Sequence, residues 1–328
     1  MTAQQMTKFK KKAHRATKLG FGEGVLEAGM QDKNIIGIGA DITGSVGMNF
    51  FADQFPERFL SLGIAEQNCI GVATGLALSG KIPVFSTYGV FAALRTTDQM
   101  RISVCYNNVH VIIGGAHAGI SVGPDGATHQ ALEDIAIMRV LPNMTVLSPC
   151  DATQAKIATT KAILESEGPV YIRFGREAVP DFTLENQDFE VGKGQILKNG
   201  NDLAIIATGH MVWEALLAAE VLDKKGISAQ VINIHTIKPI DKQIIIGAAE
   251  KTGTIVTVEE HQIYGGFGSA VAEVIVKHCP VPVEMIGMND TFGESGQPAE
   301  LMEKYGLTAK SICSAAHRVL KRKNKAFA

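Results

Sequence analysis

The sequence predicts an α/β fold with two doubly wound sheet domains. Short runs rich in β-branched residues alternate with longer helical stretches along most of the 328 residues, and such alternation implies parallel sheets covered by helices on both faces. The chain is also too long for one ordinary hydrophobic core. A polar stretch over residues 179–194, which contains Pro180, interrupts the rhythm. We therefore predict a first domain over residues 1–185 and a second over 186–328.

The individual elements follow from hydrophobic periodicity and from the turn residues between them. In the first domain the predicted strands are 35–40, 59–62, 83–88, 109–114, 145–148 and 170–174, and the strand at 59–62 is expected to be buried. In the second domain they are 203–208, 229–234, 254–259 and 283–288. The predicted helices are 71–79, 96–106, 151–166, 212–225, 241–250 and 268–278.

Composition and charge narrow the class of protein. A net charge of −2, with 20% charged and 46% hydrophobic residues, is typical of a soluble globular protein and gives no basis for binding nucleic acid or an anionic membrane. No apolar run approaches the roughly 18 to 20 residues of a membrane span, and no secretory signal is expected. The five cysteines are far apart and form no Cys-x-x-Cys, which excludes a disulfide framework and favours a reducing cytoplasm.

Residues 63–68 place one carboxylate, Glu66, between two apolar stretches at the predicted start of a helix. A lone carboxylate is costly to bury unless a partner pairs with it. The aminopyrimidine ring of thiamine diphosphate is one such partner, because a carboxylate that hydrogen-bonds a nitrogen of that ring activates the cofactor. A Glu favoured by the dipole at a helix N-terminus is the other interpretation, and six residues alone do not exclude it.

A second motif spans residues 117–130 and contains His117, Asp125 and His129. Its glycines and proline predict a loop after the strand at 109–114, and ligands bind in such loops at the carboxyl ends of parallel strands. Two histidines and an aspartate there indicate proton handling or hydrogen bonding to a polyhydroxy substrate. The alternatives are a turn that Asp125 stabilises by local hydrogen bonds, and a metal site, which ranks last because no further ligand cluster supports it.

Both motifs, together with others in the same order along the chain, resemble the C-terminal half of transketolases. The segments that carry the resemblance are residues 63–68, 85–91, 117–130, 139–143, 148–151, 171–176, 236–241 and 259–268. It covers nearly the whole chain and implies a pyrimidine-binding domain for thiamine diphosphate followed by a transketolase C-terminal-like domain.

The resemblance also implies roles for the cofactor-binding residues. Glu66 would be the carboxylate that activates thiamine diphosphate, while Tyr88 and Phe91 would pack their flat faces against the aminopyrimidine ring. Asp41 would lie near the thiazolium ring. From the residues alone, Tyr88 and Phe91 are equally compatible with core packing, and Asp41 with a helix N-cap.

Substrate-binding roles follow from the same resemblance. Ser45, Arg176 and Lys18 would hold the phosphate end of the sugar, although Arg176 alone is equally compatible with a surface ion pair. His117, Asp125 and His129 would contact the sugar hydroxyls and the reacting carbonyl, and both histidines would be catalytic. Lys18 stands where the family usually has an arginine, and a lysine binds an anion without the bidentate geometry of a guanidinium.

The resemblance further implies a partner chain. Transketolases hold the cofactor diphosphate through Mg²⁺ at a Gly-Asp-Gly segment and a later Asn, and this sequence contains no Gly-Asp-Gly. We therefore expect a separate N-terminal subunit to bring most of the Mg²⁺ site, in a two-plus-two heterotetramer with the cofactor between the two kinds of subunit.

The predicted function is transfer of a two-carbon ketol unit from a ketose phosphate to an aldose phosphate. Three alternatives are retained within the same cofactor group: a deoxyxylulose-phosphate synthase, a 2-oxo acid dehydrogenase β subunit, which the paired histidines disfavour, and a transketolase for an unusual sugar phosphate or sulfonate. A catalytically silent partner subunit is the alternative from a different class.

Overall fold

The computed structural model describes residues 13–326, and its strands are short segments spread through this range. The strands are β1 (Ala13–Ala16), β2 (Ile35–Gly39), β3 (Phe59–Ser61), β4 (Ile82–Tyr88), β5 (Ile112–Ala116), β6 (Thr145–Leu147), β7 (Val170–Arg173), β8 (Ala178–Asp181), β9 (Gln195–Lys198), β10 (Leu203–Ala207), β11 (Ala229–Asn233), β12 (Thr236–Lys238), β13 (Ile255–Gln262) and β14 (Val283–Met288).

Helices lie between most of these strands. They are α1 (Thr17–Gln31), α2 (Asn49–Gln54), α3 (Glu66–Leu78), α4 (Thr97–Gln99), α5 (Asp134–Val140), α6 (Ala152–Glu165), α7 (Met211–Asp223), α8 (Lys242–Thr252), α9 (Phe267–His278), α10 (Pro298–Lys304) and α11 (Ala309–Ala326). A 3₁₀ turn occupies Pro56–Arg58, and two 3₁₀ turns joined by a kink at Gly123 occupy Ile120–Asp125. Stretches of π-helix occupy Phe91–Arg95 and Met100–Cys105.

The first domain supplies six strands of a seven-stranded sheet with the order β12-β6-β7-β5-β4-β2-β3, and the edge strand β12 comes from the second domain. Its six strands β2 to β7 run parallel, and only β12 is antiparallel to its neighbour. Separate apolar clusters cover its two faces, one around Phe21 and Val25 of α1 and the other around Ile70 and Ala73 of α3. Because both faces are buried, the central strands are rich in apolar residues.

The second domain is built on a five-stranded sheet with the order β14-β13-β10-β11-β9. Strands β10, β11, β13 and β14 are parallel, and the edge strand β9 is antiparallel to β11. The predicted α/β architecture with two parallel-sheet domains is thus confirmed, and β1 and β8 form an additional two-stranded antiparallel sheet. The boundary at residues 185/186 remains a prediction, and it lies between β8 and β9.

Two predicted elements differ from the structure. The helix expected at residues 96–106 is instead part of a helical path that starts at Gly89 and contains two π-helical stretches. These stretches do not keep the 3.6-residue period on which the prediction relied. The strand expected to be buried at 59–62 forms β3, whose Leu60 and Ser61 are exposed. It is the edge strand of the sheet and pairs with β2 on one side, so no strand of the sheet lies along its other side.

Helix α1 was not predicted, because its four glycines lower helix propensity. The structure gives a packing reason for them, since a Cβ at Gly20 would lie 1.9 Å from the carbonyl oxygen of Ala152 in α6, and one at Gly24 would lie 2.7 Å from that of Lys156. The two helices therefore pack with their backbones in close contact. This contact fixes the N-terminal end of α1, and with it Lys18, against the first sheet.

Two composition-based expectations can be compared with the fold. Cys69, Cys105, Cys150 and Cys313 are buried and Cys279 is half-buried, all as free thiols, so they pack as small apolar side chains. Over residues 13–326, none of the helices combines the length and the apolar character that crossing a membrane requires.

Candidate active site

Glu66 is the first residue of α3, and the turn before it fixes where its side chain lies. Gly63 has a φ of +72°, a conformation that favours glycine, and the chain enters the helix through Ala65. Although it begins the helix, Glu66 is only 3% exposed. Its Oε2 accepts a hydrogen bond of 2.7 Å from Nη1 of Arg95. The other oxygen, Oε1, accepts no hydrogen bond from residues 13–326, so one acceptor remains for a ligand.

Aromatic rings lie at the carboxyl end of β4 and just after it. The ring centroids of Tyr88 and Phe91 are 5.9 Å apart, with an angle of 29° between the ring planes. The imidazole of His117 lies 4.1 Å from the Tyr88 ring, and His129 lies 5.7 Å from Tyr88 and 5.5 Å from Phe91. The guanidinium of Arg95 lies 4.3 Å from the Phe91 centroid. The structure thus groups the two predicted aromatics and both predicted histidines, and Arg95 links them to Glu66.

The loop of residues 117–130 leaves the end of β5 next to Tyr88. His117 has a φ of +52°, which is uncommon for a residue with a side chain, and its imidazole is buried, with an Nδ1 that finds no hydrogen-bond partner among the described residues. Burial, together with the positive charges of Lys18 and Arg176, lowers the pKa of His117 to about 4. His117 is therefore neutral at physiological pH and available as a hydrogen-bond donor or acceptor. His129 is half-buried, and its Nδ1 lies 2.9 Å from Oγ1 of Thr128.

Lys18 and Arg176 bring two cations to the same loop. The Oγ1 of Thr17 accepts a hydrogen bond of 2.8 Å from the backbone N–H of Gly175, so the start of α1 is held against the chain that follows β7. Arg176 pairs with Asp125 at 2.9 Å. The ion pair that the sequence left open for Arg176 therefore exists, but its partner belongs to the predicted substrate loop.

Asp41 and Ser45 lie in the loop after β2, near the same carboxyl edge of the sheet. Asp41 is exposed with a φ of +65°, and α2 begins only at Asn49, so the helix N-cap considered for Asp41 is absent. Gly47 of this loop approaches Lys18 closely, since a Cβ on Gly47 would lie 2.4 Å from the Lys18 carbonyl oxygen. Among the described residues, no hydrogen bond or ion pair links the side chains of Asp41 or Ser45 to the other candidates.

Metal ligation was the alternative that ranked last for His117, Asp125 and His129. In the described range, residues 13–326, no group of three or more His, Cys, Asp or Glu side chains has a geometry that could hold a metal ion. The three residues instead have separate contacts, with Tyr88, Arg176 and Thr128 respectively.

Comparison with known proteins identifies the family. The family model of the transketolase pyrimidine-binding domain matches residues 13–181, and that of the transketolase C-terminal domain matches residues 192–312. The chain belongs to the transketolase family. The resemblance deduced from the sequence motifs is thereby confirmed, and thiamine diphosphate is the cofactor of this family.

Individual relatives in the transketolase family match almost end to end. A 6-deoxy-6-sulfo-D-fructose transketolase subunit from a Clostridium species (strain MSTE9) is 45% identical over 300 residues, which are 92% of this chain and 93% of that protein. An apulose-4-phosphate transketolase subunit from Phocaeicola vulgatus is 40% identical over 309 residues, covering 94% and 98%. A solved structure described as a split-gene transketolase, inactive β4 tetramer, has 47% identity and a TM-score of 0.88, with 94% of this chain and 99% of that chain covered.

Sequence reasoning missed several polar residues that support this transketolase-type site. Arg95, which pairs with Glu66, stands in an apolar segment where a lone arginine was a usable signal. The buried pair of Arg173 and Asp134, 2.9 Å apart, lies beneath the substrate loop, and Nη2 of Arg173 donates to the carbonyl oxygens of Ala131 and Glu260. Glu260 lies in the segment 259–268 of the second domain, and only the folded chain shows that it reaches the substrate loop.

Proposed function

We propose that this chain is the C-terminal subunit of a two-chain transketolase. Together with a diphosphate-binding subunit, it transfers a two-carbon ketol unit from a ketose phosphate to an aldose phosphate with thiamine diphosphate. One observation carries the proposal: a carboxylate that is 3% exposed, Glu66, keeps an oxygen free beside a cluster of Tyr88, Phe91, His117 and His129. A catalytically silent subunit would have no need to retain this combination.

The residues present fit thiamine diphosphate. Oε1 of Glu66 offers an acceptor for the aminopyrimidine, and Tyr88 and Phe91 offer apolar ring faces for it. The buried Nδ1 of His117 lacks a hydrogen-bond partner among the described residues, and buried polar atoms without partners are uncommon. A ligand that supplies a partner would satisfy it. Asp41, at the same edge of the sheet, is proposed to lie near the thiazolium ring.

Each proposed catalytic residue has a defined task. When bound, the cofactor supplies the carbon nucleophile for two-carbon transfer. Glu66 holds a proton shared with the aminopyrimidine at Oε1, while Arg95 compensates its charge at Oε2. His117, neutral because burial lowers its pKa to about 4, orients the substrate and exchanges a proton with its oxygen atoms. His129 and Asp125 hydrogen-bond the sugar hydroxyls.

The anionic end of the sugar is proposed to bind at Lys18, Ser45 and Arg176. Lys18 and Arg176 both exert a positive potential at His117, so an anion between them would be doubly compensated. Lysine in place of the usual arginine changes the geometry of the site from a bidentate contact to a point charge. This observation supports a second candidate, a transketolase for a sugar whose anionic group is a sulfonate or an unusually placed phosphate, as the names of the two relatives indicate for those proteins.

The proposed partner surface surrounds Glu66. Large apolar side chains that are exposed lie on the turn before α3 and on the π-helical turns packed against that helix. They include Ile64 at 74% exposure and Tyr106 at 84%, with Leu94 at 43% and Ile102 at 48%. Exposed apolar surface of this kind marks an interaction site. We propose that the partner chain docks here in a two-plus-two assembly and brings the Mg²⁺ that neutralises the cofactor diphosphate.

The test is a reconstitution. The chain and a diphosphate-binding subunit from the same organism, purified separately, are mixed with thiamine diphosphate and Mg²⁺. The mixture is assayed with xylulose 5-phosphate, 6-deoxy-6-sulfofructose and apulose 4-phosphate as donors and ribose 5-phosphate as the acceptor. Transfer only in the mixture, and not with Glu66→Ala, is the expected result, and the preferred donor identifies the substrate. Formation of 1-deoxyxylulose 5-phosphate and CO₂ from added pyruvate and glyceraldehyde 3-phosphate, with no ketol transfer from the sugar donors, would support the synthase alternative. A mixture that binds no cofactor would refute the proposal.

A further inference from the structure

Glu260 connects the second domain to the loop that carries the proposed substrate residues. It lies on β13, is 3% exposed, and its Oε1 accepts a hydrogen bond of 2.6 Å from the backbone N–H of Ser121. Ser121 is four residues from both His117 and Asp125. A carboxylate in a buried position forms stronger hydrogen bonds than a neutral acceptor does, so this contact fixes the loop backbone between two proposed site residues.

The shape of the loop is adapted to this carboxylate. Gly119 has a φ of +93°, and a Cβ on Gly119 would lie 2.2 Å from the Glu260 carboxyl group. Only a residue without a side chain fits between the loop and β13 at this position. The other carboxyl oxygen, Oε2, lies 3.3 Å from Nδ1 of His210 at the start of α7. Oε2 makes no hydrogen bond of normal geometry among the described residues. The hydrogen bond from Ser121 to Oε1 is therefore the contact that determines the loop position.

The backbone of the same residue holds the end of the loop. Nη2 of Arg173 donates to the carbonyl oxygen of Glu260 at 2.8 Å and to that of Ala131 at 3.1 Å. The backbone N–H of Gly119 donates to the same Ala131 carbonyl at 2.9 Å. Residue 260 is therefore connected to both ends of the segment 119–131, once through its side chain and once through Arg173.

We propose that Glu260 is a positioning residue: from the second domain, it sets the backbone of the substrate loop and thereby the placement of His117, Asp125 and His129. This inference rests on the proposed function, since that function assigns the loop its role. Glu260 does not touch the substrate in this proposal. It makes the second domain necessary to the geometry of a site whose proposed catalytic side chains all belong to the first.

The first test does not require activity. Hydrogen–deuterium exchange of the isolated full-length chain is compared for wild type, Glu260→Ala, Glu260→Gln and Val256→Ala. Val256 is a buried apolar residue of the same strand and serves as the control for a general loss of stability. Glu260→Ala is expected to speed exchange in peptides covering residues 118–131 by about tenfold or more, the effect of losing a hydrogen bond to a charged group. Glu260→Gln, which retains an acceptor oxygen, keeps most of the protection.

Gly119→Ala provides an independent variant from the loop side. Its methyl group would displace the loop from Glu260, so the same peptides should exchange faster while β13 itself remains protected. Unchanged protection of residues 118–131 in both Glu260→Ala and Gly119→Ala would overturn the anchoring. The anchoring would also be overturned if Val256→Ala accelerated exchange in residues 118–131 as much as Glu260→Ala does, because the effect would then reflect a general loss of stability.

The second test uses the reconstituted enzyme. Glu260→Ala is expected to raise KM and lower kcat for two-carbon transfer by about tenfold each, because misplaced loop residues weaken both binding and orientation. Glu260→Gln should restore most of both parameters, and Val256→Ala should leave them unchanged. Fast exchange with unchanged kinetics would overturn the positioning role. If the wild-type mixture transfers no two-carbon unit, the proposed function fails, and the exchange comparison alone then decides whether Glu260 anchors the loop.

Discussion

Oε2 of Glu66 lies 2.7 Å from Nη1 of Arg95, and this ion pair joins the first residue of α3 to the last residue of a π-helical turn. The two partners differ in environment, because Glu66 is 3% exposed and Arg95 is 44% exposed. The arginine therefore compensates the buried charge from the solvent side. At the same time its guanidinium lies 4.3 Å from the centroid of the Phe91 ring, so one cation orders both the carboxylate and an aromatic face of the proposed cofactor site.

Glu66→Gln is expected to lower the rate of two-carbon transfer in the reconstituted enzyme by about 10²- to 10⁴-fold, the range for loss of an acid–base group. The amide has nearly the same volume, so packing at the start of α3 should remain intact. Glu57→Gln, on an exposed turn of the same domain, is the matched control and should keep wild-type activity. Equal activity of the two variants would contradict the role assigned to Glu66.

Arg95→Met is expected to lower the free energy of unfolding of the isolated chain by about 1 kcal/mol, because it leaves the Glu66 carboxylate buried without its partner. The value is modest since Arg95 is nearly half exposed and solvent screens the pair. Urea denaturation measures the change. Arg101→Met, at an exposed position of the neighbouring π-helical turn, should shift the free energy of unfolding far less, and the prediction is wrong if both variants behave alike.

Lys18→Met is expected to raise KM for a phosphorylated or sulfonated donor by about tenfold with little change in kcat, because one charge-assisted contact to a non-reacting group is lost in ground state and transition state alike. Initial-rate kinetics of the reconstituted enzyme provide the measurement. Lys33→Met, at an exposed lysine after α1, is the control. An unchanged KM in Lys18→Met would place the anionic group of the substrate elsewhere.

The low pKa of His117 predicts how the stability of the chain depends on pH. Burial holds this pKa at about 4 in the folded chain, whereas an unfolded histidine titrates near 6.5. As pH falls below about 6.5 the unfolded chain takes up the proton first, so the contribution of His117 to the free energy of unfolding decreases until about pH 4 and is constant above pH 6.5.

Urea denaturation of the wild-type chain and of His117→Asn between pH 7.5 and pH 5 tests this linkage. The difference in free energy of unfolding, wild type minus variant, should shrink as the pH decreases, because the asparagine cannot take up the proton. A difference that is constant over this range would mean that His117 titrates equally in the folded and unfolded chain, and that burial does not control its protonation.

The sequence by itself determined the α/β class, the two-sheet organisation and the identity of the proposed site residues. The proposed site residues followed from motifs whose order along the chain resembles that of transketolases. The buried strands are rich in apolar residues, so local patterns were sufficient for the fold class. They failed where the chain departs from regular periods, as in the π-helical turns from Phe91 to Cys105, and where glycines permit close packing, as in α1. The buried interpretation of residues 59–62 failed because edge position is a property of strand order.

Only the tertiary structure decided which distant residues act on one another. The parallel sheet places the carboxyl ends of β3, β4 and β5 at one edge, which brings Glu66, Tyr88 and His117 to one site. The partners of these residues, Arg95 for Glu66 and Glu260 for the substrate loop, are separated from them by 29 and 139 positions. Hydrogen bonds and ion pairs act over a few ångströms in space, so a sequence can show that a buried carboxylate needs a partner, while the folded chain determines which residue that partner is.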